Sequence, residues 1–142
     1  MQNGIALIGS TIVDEVLPVV EPGRLTYVDA ASFVSEDELL GERVTFSVGG
    51  MAMNVSVDLA KIGGDYPKAV FGKMGDDHRA EIIKKALSDN GIDSSNVRID
   101  PNVETSSTEV IHFRLPIGSV ERIFRHKLGA MGSFNADDLD IS

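Results

Sequence analysis

The 142-residue chain contains no cysteine and no tryptophan, and aromatic residues make up only 6% of it. Without cysteine there can be no disulfide, no thiolate metal centre and no cysteine nucleophile. That composition fits a reducing, cytoplasmic setting. Basic residues are also scarce: 13 Lys and Arg stand against 22 Asp and Glu, for a net charge of −9. Such a balance argues against a nucleic-acid partner, which would be held through its phosphates. No long hydrophobic run occurs. Asp14 and Glu15 interrupt the only early apolar stretch, and Met1-Gln2-Asn3-Gly4 carries no basic residue, so neither a leader nor a membrane span is expected. The patterns HExxH, GxxxxGK[ST] and GxSxG are all absent, and no metal site is expected. What remains is an ordinary globular composition, 42% hydrophobic and 25% charged, long enough for one domain with a core.

Ile5-Ala6-Leu7-Ile8 is a short apolar run closed by Gly9-Ser10, as in a buried strand of a parallel sheet. Leu25 to Val28 reads as extended, Ser35 to Gly41 as an acidic loop, and Val44 to Val48 as an alternating strand. Met51 to Ile62 reads as a helix that is apolar nearly all round, and hence largely buried. Lys68 to Met74 is the next strand. Asp77 suits an N-cap for a helix over 78–90, whose apolar residues Ile82, Ile83, Ala86 and Leu87 fall at helical spacing. Val97 to Ile99 is a short strand, and 101–107 a connecting loop. Glu109 to Leu115 and Glu121 to Lys127 flank Pro116-Ile117-Gly118-Ser119 as a hairpin. Asn135 to Asp138 begins a helix. Alternation of strand and helix implies a parallel α/β sheet, and the surplus extended segments imply a second, smaller sheet.

Four clusters could carry chemistry. Gly9 to Asp14 follows the first strand, where ligands bind in open α/β sheets. A carboxylate at Asp14 could accept hydrogen bonds from substrate hydroxyls, although spacing alone reads it first as a solvated loop residue. Gly49-Gly50 at a strand-to-helix junction allows close backbone approach, with free N–H groups at the helix start. Asn54 is polar on an apolar helix. On a largely buried helix its amide needs a partner, either a ligand or the protein's own backbone. Gly75-Asp76-Asp77 is accounted for by a turn and a cap. Arg122, Arg125, His126 and Lys127 form a basic cluster on the hairpin, facing an anion, a partner subunit or solvent; alternation places Arg125 and Lys127 on one side and His126 on the other. His112, on another strand, reads as structural.

Taken in order, Gly49-Gly50-Met51-Ala52-Met53-Asn54-Val55-Ser56 with Gly63, Val70 to Asp77, Asn90-Gly91-Ile92-Asp93 and Glu121 to Ala130 resemble the PfkB family of carbohydrate kinases, which includes ribokinase, fructokinases and adenosine kinase. The resemblance implies a ribokinase-like, Rossmann-type parallel sheet flanked by helices with a small β-sheet lid, cut before its C-terminal half. Residues 1–142 would be one N-terminal portion, with lid segments at about 24–48 and 107–127. It implies that Asp14, Gly49, Gly50 and Asn54 bind a small-molecule sugar or nucleoside, and that two copies pair through the lid. It implies ATP and Mg2+ as requirements of the parent protein, with neither bound by this chain alone. The family's Gly-Ala-Gly-Asp motif, with its catalytic aspartate, has no counterpart here and is expected beyond residue 142, so the chain by itself is expected to be inactive.

The sequence departs from the pattern elsewhere too. Ile12 replaces a frequent asparagine and Met51 a lysine. Residues 63–75 are two longer than the signature, and His78-Arg79-Ala80 stands where a glycine is usual. A non-catalytic ligand-binding or dimerisation module of the same fold is the alternative. A dinucleotide-binding domain is disfavoured, because no GxGxxG follows the first strand.

Overall fold

The computed structural model describes residues 4–17, 44–114, 117 and 119–139. The strand expected at 25–28, the acidic loop at 35–41 and the part of the first lid segment before residue 44 lie outside them.

Two sheets share one joint. Strands β1 (Ile5–Ile8), β4 (Lys68–Met74) and β5 (Val97–Ile99) form a parallel sheet in the order β1-β4-β5. Strands β2 (Ile12–Val16), β3 (Thr45–Gly49), β6 (Ser107–Arg114) and β7 (Val120–Lys127) form a mixed sheet in the order β3-β2-β6-β7. There β2 runs antiparallel to β3 and parallel to β6, and β7 returns antiparallel to β6. This is the α/β fold with the second sheet that the surplus extended segments implied, but among the described residues that sheet is the larger, four strands against three.

One expectation needs correction. Residues 12–16 are not a loop after β1 but a strand, so the chain passes from one sheet to the other through Gly9-Ser10-Thr11 alone. Ile12-Val13-Asp14-Glu15-Val16 shows no apolar–polar alternation; pairing with β3 and β6 is what makes it a strand. The joint is pinned by Thr11, which is fully buried and donates its hydroxyl to the Lys73 carbonyl at 2.8 Å. Val13 N–H donates across to the Ser106 carbonyl at 3.1 Å.

Helix α1 (Met51–Ile62) lies on β1 and β4, and helix α2 (His78–Asp89) backs the second sheet at β2 and β3. Val13, Ala52, Met53, Val70, Ile83 and Leu87 are at the centre of the shared core. The expectation that α1 is largely buried is also wrong. Ala52, Met53 and Ser56 are buried, but Met51, Val55 and Ile62 form an exposed apolar stripe, since 51, 55 and 62 recur on one helical face. The α2 cap is as expected: Asp77 accepts from the Ala80 N–H at 3.0 Å. Asn135 to Asp138 close as a short 3-10 turn with a capping box. No helix among the described residues is long and apolar enough to cross a membrane.

Candidate functional site

Strand alternation divides the second sheet into two faces. Val13 and Glu15 point toward α2, whereas Ile12, Asp14 and Val16 point the other way. Glu15 is held by Arg79 of α2 in a short ion pair. That hydrogen bond, outweighing burial, raises the guanidinium pKa above its ordinary value. Arg79, at the departure noted in the sequence, therefore has a structural partner. On the same face, the edge of Phe46 meets the His78 ring, and Arg125 pairs with Glu109 at 2.6 Å. Lys127 pairs with Glu104; this pairing holds the Glu104 carboxyl below its usual range. The charges of the α2 side are thus mutually neutralised, and Asp14 is left to the open face.

The structure brings Asp14, Gly49 and Gly50 together. Asp14 is paired in register with Ser47, and Ile12 with Gly49. A Cβ at Gly49 would lie 2.6 Å from the Asp14 carboxyl carbon, and one at Gly50 would run into the Ser10 carbonyl. The glycine pair makes room first for the protein itself: a carboxylate on one side, a backbone carbonyl on the other.

Asn54 is the next member of the group only through its backbone, whose N–H donates to the Gly50 carbonyl at 3.0 Å. Its side chain is exposed rather than buried, so the argument that burial demands a partner does not apply. It lines a separate cleft of about 360 Å³ with Ser47, Val57, Asp58 and Lys61. The buried polar residue of α1 is Ser56, whose hydroxyl donates to the Met53 carbonyl at 2.8 Å.

On the open face beside Asp14 lies a cavity of about 370 Å³, lined among others by Ser10, Ile12, Thr108, His126, Leu128 and Met131. Asp14 adjoins it without lining it, its carboxylate being turned against Gly49. Ser106, Thr108, Leu128 and Met131 were not singled out by the sequence. For Ser106 and Thr108 the signal was the run Thr105-Ser106-Ser107-Thr108, four hydroxyl residues that are all buried, most of them where a connecting loop was expected. His126 falls on this face and Arg125 and Lys127 on the other, as alternation required. Among the described residues no group of three His, Asp or Glu side chains could hold a metal ion.

Residues 4–136, nearly the whole chain, match the pfkB family of carbohydrate kinases. The chain belongs to that family. No protein of curated function matches it, but solved structures do. The fructokinase with bound ATP from Xylella fastidiosa superposes with a TM-score of 0.66 at 16% identity, over 99% of this chain and 38% of its own. An uncharacterized sugar kinase, PH1459, from Pyrococcus horikoshii in complex with ATP gives 0.67 at 20% identity, over 95% and 38%. The apo fructokinase from Vibrio cholerae O395 gives 0.60 at 24% identity, over 88% and 34%. At these identities the likeness concerns the fold. The pfkB chain described here spans well under half the length of these solved chains.

Proposed function

We propose that this chain is the substrate-binding and lid portion of an ATP-dependent sugar kinase, with the second sheet as the lid. One observation carries the reading. Asp14 is an ionisable side chain on the open face of that sheet, at the joint beyond β1, packed against Gly49, with Gly50 beside it against the Ser10 carbonyl. A carboxylate so placed accepts hydrogen bonds from the hydroxyls of a sugar or nucleoside and orients them. The lid then covers the bound hydroxyls and excludes water, the competing acceptor in phosphoryl transfer. Ile12 and Met51, in place of the polar residues of ribokinase, make the site less polar than a ribose site.

ATP supplies the phosphoryl group in such a reaction, and a divalent cation neutralises it. The residues present do not fit that part of the chemistry. Among the described residues there is no carboxylate cluster for a cation, and the sequence holds no Gly-Ala-Gly-Asp motif, so no transfer step is assigned to them. The 142-residue chain is expected to bind sugar without ATP turnover. In calorimetry with fructose, ribose and adenosine, Asp14→Asn should weaken whichever ligand binds by roughly 10- to 100-fold, the worth of a hydrogen bond to a charged group. Equal binding by both forms would overturn the reading, and ATP-dependent phosphorylation by the chain alone would overturn its inactivity.

Pairing of two copies through the lid is part of the same proposal. Among the described residues β7 is an edge strand, on which Ile123 and Phe124 are each 52% exposed, and such an edge can recruit a second chain. Sedimentation should give a dimer that Phe124→Glu shifts toward monomer.

A further inference from the structure

Asp14 faces the open side of the second sheet, but both of its chain neighbours are held from the other side. Val13 is fully buried in the shared core. Glu15 accepts a hydrogen bond from Arg79, in the first turn of α2. Glu15 also has a neighbour of its own sign. It is in register with Glu109 of β6, and Glu109 with Arg125 of β7. Adjacent strands lie about 4.8 Å apart, and like charges side by side on one face oppose the pairing. Two carboxylates thus stand together on the same β2–β6 pair that carries Asp14 and Thr108.

Two guanidiniums offset them. Arg125 takes Glu109 at 2.6 Å, and Arg79 takes Glu15. The two pairs are not equivalent. Arg125 belongs to the sheet itself, and its side chain is 70% exposed. Arg79 and Glu15 are only 29% and 14% exposed, so solvent screens their attraction less. Arg79 also ties the sheet to another element. The start of α2 is anchored in turn: Gly75, just past β4, donates its N–H to the Thr105 hydroxyl at 3.0 Å, and Asp77 accepts the Thr105 N–H at 2.8 Å. Thr105 leads into β6. One residue before Arg79, the His78 ring meets Phe46, which is the β3 partner of Glu15.

We infer that Arg79 is a positioning residue for the sugar site: by neutralising Glu15 it holds β2 against β6 and α2, and so sets the direction of the Asp14 carboxylate on the opposite face. This role rests on the reading of Asp14 as the sugar ligand. Arg79 itself touches no ligand there, since it acts one residue along and one face away. Without it, Glu15 keeps its charge beside Glu109, with Arg125 left to serve both. Glu15 then turns toward solvent, and a strand that turns one side chain swings the next, on its other face, with it. The stretch His78-Arg79-Ala80 departs from the family signature, so the ion pair is a feature of this chain.

The test is a double-variant cycle on the 142-residue chain, read by calorimetry with fructose and with ribose well below the unfolding temperature. Arg79→Met should weaken the bound sugar roughly 3- to 5-fold, the upper range for one side-by-side charge pair on a sheet. Glu15→Gln removes the repulsion and should weaken it less. Combining the two should return affinity to the level of Glu15→Gln, although the ion pair is then gone altogether. In about 1 M sodium chloride, where charges are screened beyond about 3 Å, the Arg79→Met defect should shrink. The Asp14 carboxyl-carbon NMR signal, followed without sugar, should shift in Arg79→Met and return in the double variant. Arg79→Lys keeps the charge without the fork and serves if Arg79→Met does not fold; it should bind within about 2-fold of wild type, and a larger loss would count against a role carried by charge. If Asp14→Asn weakens the sugar while Arg79→Met binds like wild type, the positioning role is refuted and the Asp14 site stands. A defect that neither the double variant nor salt relieves is a merely structural one and refutes the role as well. If neither sugar binds the unmodified chain, both the role and the site behind it are overturned.

Discussion

Replacing Gly50 by alanine is expected to destabilise the chain by about 3–4 kcal/mol. Gly50 has φ 86° and ψ 152°, a conformation that costs a side-chain-bearing residue on the order of 1–3 kcal/mol. The added Cβ would also meet the backbone carbonyl of Ser10, whose carbon lies 2.9 Å from its position. A backbone obstacle cannot swing away, and overpacking of that kind costs about 1–3 kcal/mol more. Gly63, at the other end of the same helix, is the matched control. Its φ is 88°, and nothing lies within 4 Å of a Cβ there. Gly63→Ala should therefore carry the conformational part alone, about 1 kcal/mol. Thermal unfolding should lower Tm by about 10 °C for Gly50→Ala and by a few degrees for Gly63→Ala. Equal losses would refute the fit of the glycine pair against Ser10. Because Ser10 also lines the cavity, the Gly50 variant should lose sugar binding along with stability.

Asp77→Ala should cost about 2–3 kcal/mol at neutral pH, through a carboxylate that does three jobs. It caps α2 at Ala80, and it accepts the Thr105 N–H at 2.8 Å and the Thr105 hydroxyl at 2.7 Å. Thr105 is fully buried, so the variant removes a cap and strands a buried N–H. Partial burial pushes the Asp77 carboxyl up, but the Thr105 and Ala80 hydrogen bonds and the nearby Arg79 charge outweigh it, and the folded value lies below the ordinary 3.8. The fold thus prefers the ionised form. Its contribution is complete above the unfolded value and is lost as pH falls through the folded one. Asp77→Asn should be less stable than the wild type at pH 7 and converge on it below about pH 4. Asp93 is held low by the Ser95 N–H and Asp138 by the Asn135 N–H, so the chain as a whole weakens in acid. The share of Asp77 is the difference between wild type and variant in urea titrations at each pH. A constant difference from pH 7 to pH 2.5 would contradict it.

Local signals made most of the elements legible. The Asp77 cap, the helix spacing of Ile83 and Leu87, and the alternation that separates Arg125 from His126 are all short-range regularities, and each is found in the structure. What could not be read locally was pairing. Ile12 to Val16 carries no apolar–polar alternation, and its place between β3 and β6 depends on partners about thirty and more than ninety residues away. Without that register, Asp14 looked like a loop residue and Thr108 like the end of a connection. The apolar stripe of Met51, Val55 and Ile62 misled for a related reason. Hydrophobicity on every side of a helix argues for burial only when something packs on every side, and the described residues cover one face. Asn54 was read as buried by the same step, whereas it is exposed.

The joint at Gly9-Ser10-Thr11 also bears on how such a protein can diversify. Ser47, Asp14, Thr108 and His126, paired in one row across the four strands, lie close to Thr11 and Ser106, where hydrogen bonds fix the register. Strand length can change at the opposite ends, past Val16 and between Arg114 and Val120, by adding or deleting pairs of residues without shifting that row to the other face. The reach of the cover and the chemistry it holds are thus encoded in separate stretches of the chain, free to drift independently of each other.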